Sequence, residues 1–305
     1  MIVTDKMRQV SELLARLGLD EVAEELGLTE ATVGRYDRAV RREGASEGVS
    51  EGAKVLFFDI ETAPMEVYTW HLYPKMIHIG QIIKDWNIIC WRAKWLGDDT
   101  ILGSSQTPSE AIERDDERVV RDLYALLNEA DIVIAHNLVD FDKKKANTKF
   151  LQYNLPPSAP YQVIDTLKEA RKNFKFSSNK LDYLCQELGF GNKINTGFDL
   201  WKKCLAGDSE ALNDMYVYCG RDIEMLEELY LKLRPFIKSH PNMALYLDDR
   251  EGKCSNCGSS DLTPMSRPYY TQTGVFQTYR CGCGAVIRDR KSLKREEFLM
   301  RGIAR

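Results

Sequence analysis

Short apolar runs alternate with amphipathic segments through the middle of the chain. The first run, Val55 to Phe58, leads into Asp59, Ile60 and Glu61, and its residue types favour a β-strand. Side chains alternate between the two faces of a strand, so Asp59 and Glu61 point the same way and Ile60 points opposite. Similar runs predict strands at 87–95, 100–102, 131–137 and 163–166. Apolar residues at helical spacing predict helices at 117–128, 142–151, 166–171, 179–188 and 215–232. Residues 54–240 are therefore predicted to form an α/β domain.

The first 43 residues predict a small three-helix domain. Apolar residues recur at helical spacing over 7–17, and Asp20 and Thr29 can cap two further helices, which end at about residues 26 and 42. Two short helices joined by a turn that contains glycine are typical of a helix-turn-helix.

The third of these helices carries Arg35 and Arg38, which could contact a DNA major groove and its phosphates. Residues 21–33 resemble bacterial and phage helix-turn-helix domains, which implies DNA binding. The alternative is a three-helix module that binds protein and leaves its arginines solvated. Residues 44–53 are small, polar and glycine-rich, and predict a flexible linker.

Composition and charge fit a protein with a sizeable core. The chain has 305 residues, of which 44% are hydrophobic and 29% charged, with a net charge of −4. Residues 251–305 contain ten Lys and Arg against five Asp and Glu, a distribution compatible with a polyanionic partner or with a solvated tail. There is no run of 18 apolar residues and no basic-then-apolar N-terminus. We therefore expect no membrane span and a cytoplasmic location.

Polar residues at the predicted strand and helix ends form an ordered pattern. Asp59 and Glu61 end the first strand, Asp142 follows a strand end and opens a helix, and Tyr218 and Asp222 lie one turn apart on the last long helix. Adjacent carboxylates repel each other unless a cation neutralises them, and their hard oxygen ligands suit Mg²⁺ or Mn²⁺. Each acid alone could instead be a cap or a surface charge.

Together, Asp-x-Glu, Asn-x4-Asp (Asn137 to Asp142) and Tyr-x3-Asp resemble the four-carboxylate (DEDD) 3′–5′ exonucleases of the ribonuclease H-like superfamily, in their tyrosine subclass. The resemblance covers about residues 54–235 and extends to the segment 176–184, which is similar to phage and bacterial members. It implies a ribonuclease H-like mixed sheet flanked by helices.

The resemblance also implies two catalytic ions, Mg²⁺ or Mn²⁺. Asp59 would bridge both ions, Glu61 and Asp222 would complete one site, and Asp142 would serve the other directly or through water. Tyr218 would orient the attacking water, since tyrosine, with a pKa of about 10, is a poor general base.

Two further residues are candidates for binding the substrate. Asn137 could hold the substrate strand or simply fix the end of its own strand. Lys180 could contact the scissile phosphate or begin a helix as a solvated charge.

Four cysteines predict a zinc ribbon over residues 251–290. The pair Cys254 and Cys257 is followed, 24 residues after Cys257, by Cys281 and Cys283, with a hairpin-length spacer between the pairs. Four thiolates would satisfy one structural Zn²⁺; disulfides or free thiols are the alternatives. The second pair departs from the usual Cys-x2-Cys spacing. The segment 270–281 resembles ribbons of transposases and phage nucleases, which implies either a nucleic-acid contact or a purely structural ribbon. Residues 291–305 form a basic tail.

The sequence therefore predicts a two-metal 3′–5′ exonuclease that acts on DNA and is flanked by nucleic-acid-binding modules, from a phage or a bacterium. One alternative is a DNA-binding regulator or assembly factor that uses the nuclease fold as a scaffold. Another is an RNA-directed exonuclease. A replication or recombination protein is a possible partner, and a proofreading role would require one.

Overall fold

The computed structural model describes residues 9, 10, 13, 19–26, 52–191 and 196–293. Backbone contacts divide the chain into two compact units, residues 1–52 with 244–251 and residues 53–243 with 252–305. Residues 9, 10 and 13 are helical, and helix α1 spans Leu19–Leu26, as predicted. The predicted third helix with Arg35 and Arg38, residues 44–51 of the linker and residues 294–305 of the tail lie outside the described residues.

The second unit contains ten strands and seven helices among its described residues. The strands are β1 (Val55–Thr62), β2 (Glu66–Val67), β3 (Ile82–Lys84), β4 (Ile88–Trp95), β5 (Ile101–Ser105), β6 (Ile132–Ala135), β7 (Gln162–Asp165), β8 (Leu262–Tyr270), β9 (Val275–Cys281) and β10 (Val286–Arg288). The helices are α2 (Pro108–Glu113), α3 (Glu117–Leu127), α4 (Asp142–Gln152), α5 (Thr166–Asn173), α6 (Leu181–Glu187), α7 (Phe198–Leu205) and α8 (Ser209–Leu233).

Five strands form a mixed sheet with β1 at its centre. The strand order is β5-β4-β1-β6-β7; the pairs β5/β4 and β4/β1 are antiparallel, whereas β1/β6 and β6/β7 are parallel. One face of β1, including Phe58 and Ile60, packs against α3 and α4. The opposite face packs against α8, where Phe57 meets the ring of Tyr230 edge-on at 5.4 Å. This mixed sheet flanked by helices confirms the predicted α/β fold.

The predicted elements are largely present, with corrected boundaries. Helix α8 begins at residue 209 rather than 215, because Asp208 caps it by accepting hydrogen bonds from the backbone amides of Glu210 and Ala211. The strand predicted at 100–102 extends to residue 105. Helices α2 and α7 and the β2/β3 pair were not predicted from the sequence. None of the described helices is long and apolar enough to cross a membrane.

A buried ion pair fixes α4, the helix that begins with Asp142, against the sheet. Asp116 and Lys149 are both buried, and Lys149 Nζ lies 3.0 Å from a carboxylate oxygen of Asp116. The backbone amide of Ile88 donates to the same carboxylate at 2.7 Å, and the Tyr153 hydroxyl donates to its other oxygen. Every oxygen of this buried charge is therefore satisfied, which limits its desolvation cost.

The three-stranded sheet β10-β9-β8 lies next to the predicted cysteine pairs: Cys254 and Cys257 precede β8, Cys281 ends β9 and Cys283 lies between β9 and β10. The β8/β9 hairpin closes where the backbone amide of Thr271 donates to Gly274 O at 2.9 Å. The Asn256 side-chain amide donates to Arg234 O at 3.0 Å, just after the last residue of α8. The turn that carries Cys254 and Cys257 therefore contacts the C-terminal end of the helix that carries Tyr218 and Asp222.

Candidate metal-dependent active site

Strand β1 places two carboxylates on the face that packs against α8. It pairs with β6 only through residues 55–57, so its last residues continue past the parallel partner. Asp59 and Glu61 are half-buried there, while Ile60 between them is buried in the opposite face. The alternation of a strand thus brings the two acids together as the sequence predicts.

Helix α8 adds a third carboxylate to this pair. Carboxylate oxygens of Asp59, Glu61 and Asp222 all lie within 4.8 Å of one another, and Asp222 is buried. Three acids this close repel one another at neutral pH unless a cation shares them. Their hard oxygen donors fit Mg²⁺ or Mn²⁺.

Asp142 lies in the first turn of α4 and is 1% exposed. Within the described part of the chain, neither of its carboxylate oxygens has a hydrogen-bond partner of normal geometry. Burial, and after it the charge of Asp59, raises the pKa of Asp142 well above its usual range. A buried carboxylate without well-formed hydrogen bonds is costly, and a bound cation nearby would offset that cost. Asp142 is not one of the three acids within 4.8 Å of each other, which fits a second metal position.

Tyr218 lies one turn before Asp222 on α8 and is half-buried. Its ring meets that of Trp201 in α7 edge-on, with centroids 6.4 Å apart. Trp201 Nε1 in turn donates to the backbone oxygen of Thr62, the residue after Glu61, at 3.2 Å. Trp201 therefore connects the tyrosine to the end of β1. This contact was not predicted from the sequence, although Phe198 and Trp201 at i and i+3 could have signalled an aromatic helix face.

A buried thiol contacts one of the three acids. The Cys219 Sγ donates to the backbone oxygen of Asp59 at 3.5 Å and lies 3.6 Å from its Oδ2. Burial raises the pKa of Cys219, so the thiol keeps its proton next to the carboxylates. This contact was not predicted from the sequence, where the position of Cys219 directly after Tyr218 was the available signal.

A cleft of about 560 Å³ opens beside the acids, and both predicted substrate-binding residues of this unit line it. Its walls include Asp59, Asp222, Asn137 and Lys180. Asn137 has a left-handed backbone conformation (φ 75°), and its backbone amide donates to Asp165 Oδ1 at 3.2 Å. Lys180 is exposed at the start of α6. Arg35 and Arg38, the other predicted substrate-binding residues, lie outside the described residues.

The four C-terminal cysteines converge on one point. All four sulfurs lie within 4.8 Å of one another, with Cys254 3.9 Å from Cys283 and Cys257 3.6 Å from Cys281. A tetrahedral zinc site with sulfur–metal bonds of about 2.3 Å has edges of roughly 3.8 Å. A disulfide would require sulfurs only ~2.05 Å apart. The donor set and spacing therefore fit a closed Zn²⁺ site, despite the shortened second pair.

Comparisons with known proteins support this fold for most of the second unit. Residues 101–234 match the RNase_H_2 family model of the RNase H superfamily, so this segment is an RNase H-like domain. The match includes Asp142, Tyr218 and Asp222 but begins after β1, and it supports a nuclease. No curated protein matches the chain.

Among solved structures, the family B DNA polymerase from the hyperthermophilic archaeon Pyrobaculum calidifontis is similar, with 15% sequence identity and a TM-score of 0.46. The similarity covers 72% of this chain and 31% of the polymerase chain. The chain thus corresponds to less than a third of that polymerase.

Proposed function

We propose that the protein is a metal-dependent 3′–5′ exonuclease acting on DNA. The observation that carries this proposal is the convergence of Asp59, Glu61 and Asp222 within 4.8 Å, beside the buried and unsatisfied Asp142, in an RNase H-like domain. A protein that used the fold only as a scaffold would gain nothing from such a repulsive cluster. The site favours a nuclease over a DNA-binding regulator for this reason.

The reaction is hydrolysis of the terminal phosphodiester. Water attacks phosphorus, the bond from phosphorus to the 3′ oxygen of the preceding nucleotide breaks, and a nucleoside 5′-monophosphate leaves. Asp59, Glu61, Asp222 and Asp142 would hold two divalent ions, which would make the attacking water more acidic and stabilise the leaving oxyanion.

The chain's own side chains position the reactants. Tyr218, on α8, would orient the attacking water by a hydrogen bond, and its edge-on contact with Trp201 restricts the position of its ring. Asn137 and Lys180 line the cleft beside the acids, where an amide and an ammonium group can hold the phosphate backbone. Cys219 fixes Asp59 from its buried side.

We further propose that the four cysteines bind one structural Zn²⁺, which leaves no open position for catalysis. Through Asn256 and Arg234, the zinc-bound knuckle would support the end of α8. Arg35 and Arg38 in the N-terminal module would contact DNA, and a replication or recombination protein would direct the enzyme to its substrate.

The test is a cleavage assay on 5′-labelled single- and double-stranded DNA and RNA with Mg²⁺, Mn²⁺ or EDTA. We expect a ladder of progressively shorter labelled strands that requires metal, and DNA shortened faster than RNA. Asp59→Ala should abolish the ladder, whereas Asp131→Ala, which changes an acid at the start of β6, should leave it intact. Tight DNA binding without cleavage of any strand would favour the regulator instead. Faster cleavage of RNA would assign the enzyme to RNA.

A further inference from the structure

An aromatic excursion, residues 66–84, separates the catalytic strand β1 from β4. Its two ends pair as β2 and β3, with Glu66 opposite Lys84 and Val67 opposite Ile82. The five most exposed large hydrophobic side chains among the described residues all lie within it: Trp70, Leu72, Tyr73, Met76 and Ile79, each at least 82% exposed. Exposed apolar patches of this kind mark binding surfaces, because leaving so much apolar area in water is unfavourable.

The base of the excursion is firmly attached to the domain. Arg114 donates to Pro64 O at 2.9 Å and to Glu66 Oε1 at 2.7 Å. Across the excursion, the Tyr68 amide donates to Gln81 O at 2.9 Å, and the Gln81 side chain donates back to Tyr68 O at 2.8 Å. The exposed rings are therefore presented on a pinned hairpin, which reduces the entropy lost when a ligand binds.

The charge of the excursion differs from that of the rest of the chain. Apart from Glu66 at its base, which pairs with Arg114, the excursion contains Lys75, Lys84 and two histidines but no Asp or Glu, in a chain whose net charge is −4. Beside the tip, a concave surface of about 540 Å³ combines the rings of Trp70 and Tyr73 with Lys75. Aromatic rings interleaved with cations and free of acids match a single-stranded nucleic acid, whose bases stack on the rings and whose phosphates need positive charge.

The two ends of the excursion lie close to the end of β1. Met65, just before it, and Trp86, shortly after it, line one pocket of about 340 Å³ together with Thr62 and Trp201. Thr62 follows Glu61 directly in β1. The ends of the excursion thus meet beside the last residue of β1, and we take a strand on its rings to be the one that enters the acidic site.

We propose that the aromatic excursion is a stacking platform for single-stranded nucleic acid, which holds nucleotides of the substrate that are not being cleaved. This inference rests on the proposed nuclease function and names the substrate form: an unpaired strand several nucleotides long. The rings stack on bases without selecting among them, because every base has an aromatic face.

Binding of a fluorescein-labelled 12-nucleotide single strand, measured by anisotropy in EDTA so that no cleavage occurs, tests the platform. Base–aromatic stacking of about 1–3 kcal/mol predicts that Trp70→Ala weakens binding roughly 5- to 150-fold. Trp70→Phe should retain most of the affinity, and Trp70→Leu, which is apolar but has no ring, should bind as weakly as Trp70→Ala. Leu151→Ala, at a side chain 79% exposed on α4, is the matched control and should bind like wild type.

A small substrate separates the platform from the reaction. Thymidine 5′-monophosphate p-nitrophenyl ester is too short to reach the excursion, so Trp70→Ala should hydrolyse it at the wild-type rate while the KM for the 12-nucleotide strand rises. Repeating the binding measurement with a DNA and an RNA single strand of the same length shows which of the two nucleic acids the excursion binds. If strand binding depends on Trp70 but the protein hydrolyses no substrate, the proposed nuclease function is refuted and the proposed binding surface is supported.

Two results would overturn the platform. One is that the Trp70→Ala variant cleaves DNA with the same strand affinity and the same KM as wild type. The other is a wild-type dimer on size-exclusion chromatography that Trp70→Ala dissociates without any effect on strand binding, which would show that the excursion binds a second copy of the chain.

Discussion

Replacing Asp142 by Asn is expected to stabilise the metal-free protein while abolishing its nuclease activity. Asp142 is buried, its oxygens have no hydrogen-bond partner of normal geometry among the described residues, and Asp59 adds repulsion. The amide has nearly the same shape but carries no charge. A buried unsatisfied polar group costs about 1–3 kcal/mol and a charged one more, so removing the charge while keeping a polar amide should recover about 1–3 kcal/mol. For a unit of this size, that is a rise of roughly 2–12 °C in the unfolding midpoint.

Asp116→Asn is the matched control, since Asp116 is equally buried but fully satisfied. Its carboxylate accepts hydrogen bonds from Ile88 and Tyr153 and pairs with buried Lys149. Removing this charge leaves the ammonium of Lys149 buried without a counterion, which costs about 3–5 kcal/mol. The two Asp-to-Asn substitutions should therefore shift the unfolding midpoint in opposite directions.

Differential scanning calorimetry in EDTA and in Mn²⁺ measures both effects. In EDTA, Asp142→Asn should unfold at a higher temperature than wild type. In Mn²⁺ at a concentration about 100 times its dissociation constant, the free energy of unfolding of wild type should rise by about 2.7 kcal/mol, and that of the variant should rise by less. An Asp142→Asn midpoint below that of wild type in EDTA, or equal Mn²⁺ stabilisation of both proteins, would refute the account of Asp142 as a metal-directed carboxylate.

Other sites give predictions of different kinds. Burial lowers the pKa of His240. The stability that its neutral form contributes is therefore present above about pH 6.5 and is lost as the pH falls below that value. The unfolding midpoint of wild type, measured relative to that of His240→Gln, should drop between about pH 7.5 and pH 5.5. Cys281→Ser should reduce the zinc content measured by mass spectrometry from one ion per chain, and a chelator should lower the midpoint of wild type but not that of the variant. A Cβ at Gly103 would lie 2.7 Å from Trp91 O, so Gly103→Ala should cost about 1–3 kcal/mol in urea unfolding. Gly197→Ala is its control, because no described atom beyond its neighbours lies within 4 Å of a Cβ there; it should cost less than about 1 kcal/mol, the effect of replacing the N-cap glycine of α7 by alanine.

Much of the sheet could be predicted because its strands are buried. Val55 to Phe58 form a continuous apolar run, which is typical of a strand that is buried on both faces. The order of the acids along the chain also indicated which of them would meet. What local pattern could not supply is strand order and register, which place Cys219 against Asp59 and Trp201 against Thr62. Those contacts join residues 160 and 139 positions apart.

The aromatic excursion shows the opposite limit. Its residues are as apolar as those of a buried strand, yet Trp70 is 93% exposed. Hydrophobicity indicates that a side chain favours burial, but it does not say whether the covering surface belongs to the same chain. β2 and β3 have only two and three residues, too few for an alternating pattern to be recognised.

The polarity of cleavage tests the central claim most directly. Wild-type protein with Mn²⁺ is incubated with one single-stranded DNA, labelled at its 3′ end in one reaction and at its 5′ end in another. The account predicts that the 3′ label is released at once as a labelled nucleoside 5′-monophosphate, while the 5′ label persists on a descending ladder, and that EDTA or Asp59→Ala stops both. Early release of the 5′ label, internal cleavage, or release that persists in Asp59→Ala would contradict it.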